Sequence, residues 1–528
     1  MTYKRVYILF SVFALFANVL MIRLFFLVTN ETYAASAAGQ SVYTSTVATV
    51  RPDFYDCNGL PLTGETTKLY AVVTPSELSK KLVSKYVETA SLEYFEQAIT
   101  GTVPFIVPVS ERVPENALVQ NITLPSRYFD GSLANHLIGY IDYEGKGVSG
   151  LESVFDDYLK ENSAKTTLSV GVNANREIIE SSKAEVVVGD AYDERIVLTI
   201  DKSIQAQVEK IADESFKRGA VVVLECGTGE VKAMVSRPDF SPNNVGEAIN
   251  RNDSALINRA LTPYNLGSVY KIVVAAAALE AGLDEFCYEC EGSIEIDGKQ
   301  YSCNNGKQHG EQGLKEALTN SCNTYFIALG QRLGGAAIYN TANRLGLGRK
   351  IELCEGFMTS AGNMPSETIL SGSNDELINH CFGQGKLLAS PFAVALYTSC
   401  IANGGEFIKP SLVKSFGDEK CEITSAERVL QKETAQRIAE CMRSVIDEGT
   451  GVNGKPELCD AAGKTGTAQT GRYNADGSEE IIGWFSGFFP ADKPKYVVAV
   501  MVENEGYGYE TAAPVFKKIA DSLTLYAQ

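Results

Sequence analysis

Gly267-Ser268-Val269-Tyr270-Lys271 opens into the Ala-rich run that ends at Gly282, and the reading of this stretch decides the fold. A glycine turn feeding an Ala-rich helix puts Ser268 near a helix N-terminus, where backbone N–H groups and the helix dipole favour developing negative charge. Lys271 follows three residues later, on the same helix face, so an amine lies within reach of the hydroxyl. A free lysine titrates near pKa 10.4 and is mostly charged at neutral pH, which makes it a poor base. Desolvation or a second cation beside it removes that obstacle.

Two further motifs follow in order: Ser321-Cys322-Asn323, then Lys464-Thr465-Gly466 with Thr467 and Ala468. Together the three supply a nucleophile with its own base, a proton relay and a cationic anchor on a strand. Their order carries the weight, because short decoys exist. Ser411-Leu412-Val413-Lys414 also reads Ser-x-x-Lys and Ser241-Pro242-Asn243 also reads Ser-x-Asn. Ser411, however, follows a proline and enters a Leu-Val run, with no Ala-rich helix behind it.

The trio resembles that of the penicillin-binding proteins and serine β-lactamases. Further stretches narrow the resemblance to class B penicillin-binding proteins: Asp53 to Gly59 with its Asn58-Gly59 turn, and Gly147-Val148-Ser149-Gly150-Leu151-Glu152, are similar to the N-terminal pedestal of that class. Asn258-Arg259-Ala260, Gly383-Gln384-Gly385 before Ser390-Pro391, Ala402-Asn403-Gly404-Gly405 and Trp484-Phe485-Ser486-Gly487 extend it along the exported chain. Cys57 stands where the class usually has arginine, and Leu266 where it usually has proline. Without the preset proline φ, the turn before Ser268 is expected to be looser.

The expected fold is α/β (α+β): a transpeptidase domain with an antiparallel sheet covered by helices, preceded by a mixed pedestal and one N-terminal transmembrane helix. Gly219 to Leu224 and Val231 to Val235 read as two strands around a Gly-Thr-Gly turn. Gly483 to Phe489 and Tyr496 to Val502 read as two more, valine-rich enough for a buried sheet. The expected divisions are residues 1–28 (stub and anchor), 29–190 (pedestal) and 191–528 (transpeptidase domain).

With 528 residues the chain exceeds one ordinary core. Its net charge of −18 argues against nucleic acid, since phosphate binding needs a basic surface. Lys4 and Arg5 precede the apolar run from Val6 to Val28, long enough for the ~20 residues that cross a bilayer. Arg23 sits near enough to the far end to snorkel. The basic residues before the span place the N-terminus inside and the bulk of the chain on the extracytoplasmic side of the cell membrane. Ala35-Ser36-Ala37 offers the competing reading of a cleaved signal.

Twelve cysteines are scattered through the chain rather than grouped as in a small stapled scaffold. The local exception is Cys287-x-x-Cys290 with Cys303 and His309, open to three readings: a zinc site, a Cys290–Cys303 disulfide closing a hairpin loop, or reduced thiols. No cofactor or metal is assigned to the chemistry.

The resemblance implies a peptidoglycan D,D-transpeptidase. Ser268 would attack the penultimate D-Ala carbonyl of a stem peptide, Lys271 would take its proton, and Ser321 would pass a proton to the leaving amine. Asn323 would hold a substrate amide, Lys464 would supply the cation, and the strand with Thr465 and Gly466 would bind the peptide. Thr467 and Ser268 N–H groups would form the oxyanion hole. Implied partners are stem peptides, β-lactams, the membrane, a polytopic glycan polymerase and other cell-wall proteins. Rival readings are a D,D-carboxypeptidase or β-lactamase, and a non-catalytic scaffold or β-lactam sensor. No motif offers the glutamate that fast hydrolysis needs, and the few residues before Val6 cannot make a sensor's signalling domain.

Overall fold

The computed structural model describes residues 2–29, 41–142, 144–173, 175, 178–179, 184–303, 306–421, 425–474 and 476–526. The small-residue stretch Ala35-Ser36-Ala37 lies outside them. Two compact units are present: residues 1–52, 64–127 and 162–192 form one, and residues 53–63, 128–161 and 193–528 form the other. The sequence expectation divided the chain in chain order after residues 28 and 190; these units interleave, and the Asn58-Gly59 turn and the Gly147–Glu152 stretch lie in the larger one.

In the smaller unit, helix α1 (Thr2–Thr29) is long and apolar enough to cross a membrane, and its side chains are exposed along its length. Strands β1 (Val42–Val50), β2 (Thr66–Val73), β3 (Phe105–Pro108), β4 (Val119–Ser126), β5 (Ala164–Gly171) and β6 (Glu185–Val187) make two three-stranded sheets, ordered β1-β5-β6 and β3-β2-β4. Ala71, Val73, Phe95 and Val107 fill one core of this unit, and Val72, Leu124, Leu168 and Val170 another.

In the 193–528 part of the larger unit, helix α2 (Lys202–Ser215) is capped by Asp201, whose carboxylate accepts from the N–H groups of Ser203 and Ile204. Strands β7 (Gly219–Glu225) and β8 (Val231–Arg237) follow, then helices α3 (Lys271–Glu280), α4 (Asn323–Leu333), α5 (Pro391–Ala402) and α6 (Lys432–Asp447). Strands β9 (Ala462–Tyr473), β10 (Glu479–Phe489) and β11 (Tyr496–Glu503) and helix α7 (Ala512–Tyr526) complete it. The five-stranded sheet runs β8-β7-β11-β10-β9, with every neighbouring pair antiparallel.

This sheet is buried on both faces, and the alternation shows how. Val221, Val223, Val498, Val500 and Phe485 pack with Val208 of α2 and Phe516 of α7, whereas Val222, Leu224, Val497, Ala499 and Trp484 pack with α3 and α5. Continuous apolar runs are therefore what these strands require, and the expected antiparallel sheet between helices is what forms. Helix α3 is buried from Lys271 to Ala278, which explains its alanines: small side chains let neighbouring helices and the sheet approach on every side.

The loop before α2 is tied down by polar groups. Asp56, fully buried, accepts from the N–H groups of Asn58, Leu60 and Lys202 at 2.7–3.0 Å, and Asn58 donates to Asp201 at 3.0 Å. Cys57 is held near Asp201 at 3.9 Å, so the position that departs from the class pattern still faces this cluster.

Near the sheet's end, Arg259 donates through Nε to Glu503 Oε1 at 2.9 Å, and Tyr264 donates its hydroxyl to the same oxygen at 2.6 Å. With Arg259 only 2% exposed, the pair is a buried one. Arg259→Met should lower the unfolding free energy by about 3 kcal/mol, because it leaves a carboxylate without its closest cation. Urea titration of the variant checks this, and a loss below about 1 kcal/mol would contradict it.

Candidate active site

Ser268 lies not in α3 itself but in a single 3₁₀ turn, Gly267–Tyr270, that feeds it. The i,i+3 pair Ser268 and Lys271 therefore stays on one side, as a 3₁₀ turn eclipses residues three apart. The turn depends on backbone approaches that only glycine allows. Gly267 has φ +59° and donates to Gly383 O at 2.8 Å, and a Cβ built on it would lie 2.4 Å from Thr467 O. Leu266 is fully buried, so where proline would have preset the backbone, this chain anchors the turn through an apolar side chain.

Behind the turn, Tyr270 shares a 2.7 Å hydrogen bond with His380 Nε2, and Tyr397 donates to Val269 O at 3.2 Å. Burial pushes the His380 imidazole down to about 4, so it stays neutral. These supports were not visible in the motifs, because they join residues more than 100 positions apart.

Ser321 has φ +54°, the left-handed region that costs a non-glycine residue of order 1–3 kcal/mol and clusters at functional sites. The turn aims its carbonyl and hydroxyl at two lysines. Lys271 Nζ donates to Ser321 O at 2.7 Å, to Asn323 Oδ1 at 2.6 Å and to Ser321 Oγ at 3.3 Å; Lys464 Nζ donates to the same Oγ at 3.0 Å. Both lysines are completely buried. Burial lowers Lys271 to about 8. Burial also lowers Lys464, with Lys271's charge as the second cause. Two ammonium groups sharing one hydroxyl in the interior cannot both stay charged, so the pair is what releases a proton near neutrality.

Strand β9 is the sheet's edge and carries the third motif, with Lys464 opposite Ser486, Thr465 opposite Phe485 and Thr467 opposite Gly483 of β10. A Cβ on Gly466 would lie 3.0 Å from Val269 N, which shows how closely strand and turn approach. Thr465 shares a 2.8 Å hydrogen bond with Thr450, and Thr467 Oγ1 accepts from Gly508 N–H at 3.1 Å.

Ser268, Ser321, Asn323, Thr465, Gly466 and Thr467 line one open cleft of roughly 1440 Å³, and both buried lysines donate to the Ser321 hydroxyl in its wall. All eight residues singled out in the motifs therefore converge. The decoys do not: Ser411 enters a strand-like bridge to Glu230 and Lys414 pairs with that glutamate at 3.3 Å, while Ser241 lies in a separate hollow beside Asp239 and Arg251. One expectation shifts in detail, since Lys271 donates to the second motif and no hydrogen bond links it to Ser268 among the described residues. Tyr507 and Tyr509, stacked at 5.8 Å, also line the cleft and carry no motif by which sequence could find them.

Of the expected cysteine group, Cys287 is exposed and stands apart, while Cys290, Cys303 and His309 cluster with Cys322 of the second motif. The sequence reading ended that group before Ser321 and so missed its fourth member.

Residues 219–521 match the penicillin binding protein transpeptidase domain. The chain belongs to the class B penicillin-binding proteins. It is 27% identical over 513 residues to the stage V sporulation protein D of Bacillus subtilis, covering 90% of this chain and 78% of that protein. It is 28% identical over 456 residues to the peptidoglycan D,D-transpeptidase MrdA of Acinetobacter baumannii, covering 75% of this chain and 66% of that one. Among solved structures, penicillin binding protein 3 of Mycobacterium tuberculosis complexed with aztreonam superposes with a TM-score of 0.66 at 25% identity, over 92% of this chain and 97% of that one.

Gly267→Ala should cost about 2 kcal/mol of stability through its positive φ and the clash with Thr467 O. Thermal unfolding of the variant checks this. Unchanged stability would mean that turn and strand are free to separate.

Proposed function

We propose that this chain is a membrane-anchored peptidoglycan D,D-transpeptidase that works through an acyl-enzyme on Ser268. The observation that carries the reading is the convergence of both buried lysines on Ser321 Oγ, within a cleft walled by the nucleophile turn and an edge strand. Such a strand edge pairs with an extended stem peptide, and its glycine lets the peptide backbone come close.

In the first half-reaction Ser268 Oγ bonds to the carbonyl carbon of the penultimate D-Ala, and its proton passes to neutral Lys271. The developing oxyanion takes hydrogen bonds from the N–H groups of Ser268 and Thr467. The carbonyl–nitrogen bond then breaks, and terminal D-Ala leaves with a proton relayed from Lys271 through Ser321. In the second half an amine of a neighbouring stem attacks the ester, returns its proton along the same relay and regenerates the Ser268 hydroxyl. A β-lactam enters the first half only: its ring nitrogen leaves the carbonyl but stays tethered, so the ester persists. Helix α1 holds the domain at the membrane, with the short basic N-terminus in the cytoplasm. A polytopic glycan polymerase that supplies uncross-linked strands is the fitting partner.

The test is labelling by a fluorescent penicillin of the full-length chain in detergent. Label should be stable, lost with Ser268→Ala and kept with Ser411→Ala; absence of label on folded protein would favour a scaffold, and rapid loss of label a hydrolase.

A pH profile tests the base. Lys271 must be neutral to accept the proton, and its pKa is lowered to about 8, so the reactive form grows as pH rises through that value. The acylation rate should fall roughly tenfold per unit below pH 7 and level off above 9. A rate independent of pH between 6 and 9 would remove the lysine pair from the proton transfer.

A further inference from the structure

Cys290, Cys303, His309 and Cys322 present their donor atoms within 4.8 Å of one another. Three of the six edges are 3.7 Å from Cys303 Sγ to Cys322 Sγ, and 3.5 Å from His309 Nδ1 to each of Cys290 Sγ and Cys303 Sγ. Tetrahedral zinc with Zn–S near 2.3 Å and Zn–N near 2.05 Å requires S···S edges of about 3.8 Å and S···N edges of about 3.5 Å. A Cys290–Cys303 disulfide would satisfy two of these groups and leave His309 and Cys322 facing it without purpose. We infer that these four side chains form a Cys₃His zinc site that holds the second motif and one wall of the cleft in place.

The surroundings suit thiolates. Asn323 N–H donates to Cys303 Sγ at 3.3 Å, Tyr325 N–H to Cys322 Sγ at 3.5 Å and Thr324 Oγ1 to Cys290 Sγ at 3.1 Å. Three consecutive residues at the start of α4 thus serve the sulfurs, and the positive end of the helix faces them. Three thiolates and one zinc leave a single net negative charge.

The fold also needs such a centre. Residues 288–312 leave the helical core as two small ladders, Tyr288–Cys290 with Gly310–Gln312 and Ser293–Ile296 with Lys299–Ser302. Isolated two-stranded ladders are marginal in water. Among the described residues of this excursion the buried ones are Cys290, Gly292, Cys303 and Gln312, so no aliphatic or aromatic side chain in it is fully buried, although Tyr288 packs half-buried against the core. Lys299 and Tyr301 pair with Asp375 at its far end, on the surface. Its base rests on the two cysteines, and it brings Gln300, Tyr301, Ser302 and Lys307 to the cleft.

Occupancy reaches the reaction by a short path. Cys322 separates Ser321 from Asn323, and the Asn323 amide that serves Cys303 belongs to the residue whose side chain receives Lys271. The four ligands are positioning residues, and their effect on acylation rests on the transpeptidase reading, whereas metal binding does not.

Full-length protein purified in detergent under reducing conditions should carry about one zinc per chain by elemental analysis. After chelation it should take up cobalt(II) with thiolate charge-transfer and tetrahedral d–d absorption. Cys290→Ser and His309→Ala, which lie outside the cleft, should each abolish stoichiometric zinc and slow acylation by fluorescent penicillin roughly tenfold or more. Cys441→Ser, at a buried thiol elsewhere, should change neither. Chelated wild-type protein that binds no cobalt, or native protein whose thiols prove to be paired as disulfides, overturns the site whether or not the variants fold. Bound zinc with unchanged acylation in both variants overturns the coupling, and bound zinc without any acylation leaves the site standing while the transpeptidase reading falls.

Discussion

Two lysines buried side by side on one serine hydroxyl set the terms for the rest of the larger unit. Each ammonium loses several kcal/mol of hydration, and their mutual repulsion adds to the cost, so the arrangement persists only where surrounding packing fixes both stems. One stem comes from the first turn of α3, the other from the edge strand β9. The all-round burial of the Ala-rich helix and the two-faced burial of the sheet hold those stems at the required separation. The left-handed turn at Ser321 belongs to the same scheme, since it presents carbonyl and hydroxyl oxygens to the two lysines, beside the acceptors that Asn323 Oδ1 gives Lys271 and Thr465 O gives Lys464.

Much of this was legible in the chain because it depends on local rules. Runs such as Gly219 to Leu224 and Tyr496 to Val502 admit one reading as central strands, and an Ala-rich run after Gly267 admits one reading as a buried helix. The motif residues converged because their spacing reflects which element each occupies. What stayed hidden depends on tertiary proximity. Cys322 occupies the variable place of Ser-x-Asn, so nothing adjacent marks it as a neighbour of Cys290, 32 positions earlier in the chain. Tyr270 and His380 meet only because Gly267 docks on Gly383, three residues beyond that histidine. The strand-and-turn segment at 53–63 departs from chain order because it buries Phe54 and Leu62 in the larger unit's core and brings Asp56 to accept the Lys202 N–H at the start of α2.

The contact between the nucleophile turn and the edge strand is made by backbone. Gly267, Gly383 and Gly508 each meet a neighbouring main chain closer than a Cβ would permit, and a Cβ on Gly466 would have only 3.0 Å to Val269. Where side chains form an interface they can change rotamer and absorb a displacement, but a backbone interface has no such slack. A shift of β9 is therefore a shift of Thr467, the proposed oxyanion donor, relative to Ser268. Peptide binding along the strand edge acts on the same rigid contact, which ties recognition of the substrate to the geometry of attack.

The opposite wall of the cleft is built on another principle. It comes from an excursion with no fully buried aliphatic or aromatic side chain, and the proposed four-ligand centre beneath it supplements the core that so short a segment cannot form. Because one of its ligands lies between Ser321 and Asn323, the proposed centre would also fix the proposed proton relay. A purely hydrophobic anchor at Cys322 would hold the helix start equally well, but it would not accept the Tyr325 N–H, nor share Cys303 with the Asn323 amide. Sulfur at that place thus serves folding and alignment through the same atoms, and loss of the centre would loosen the relay before it loosened the domain.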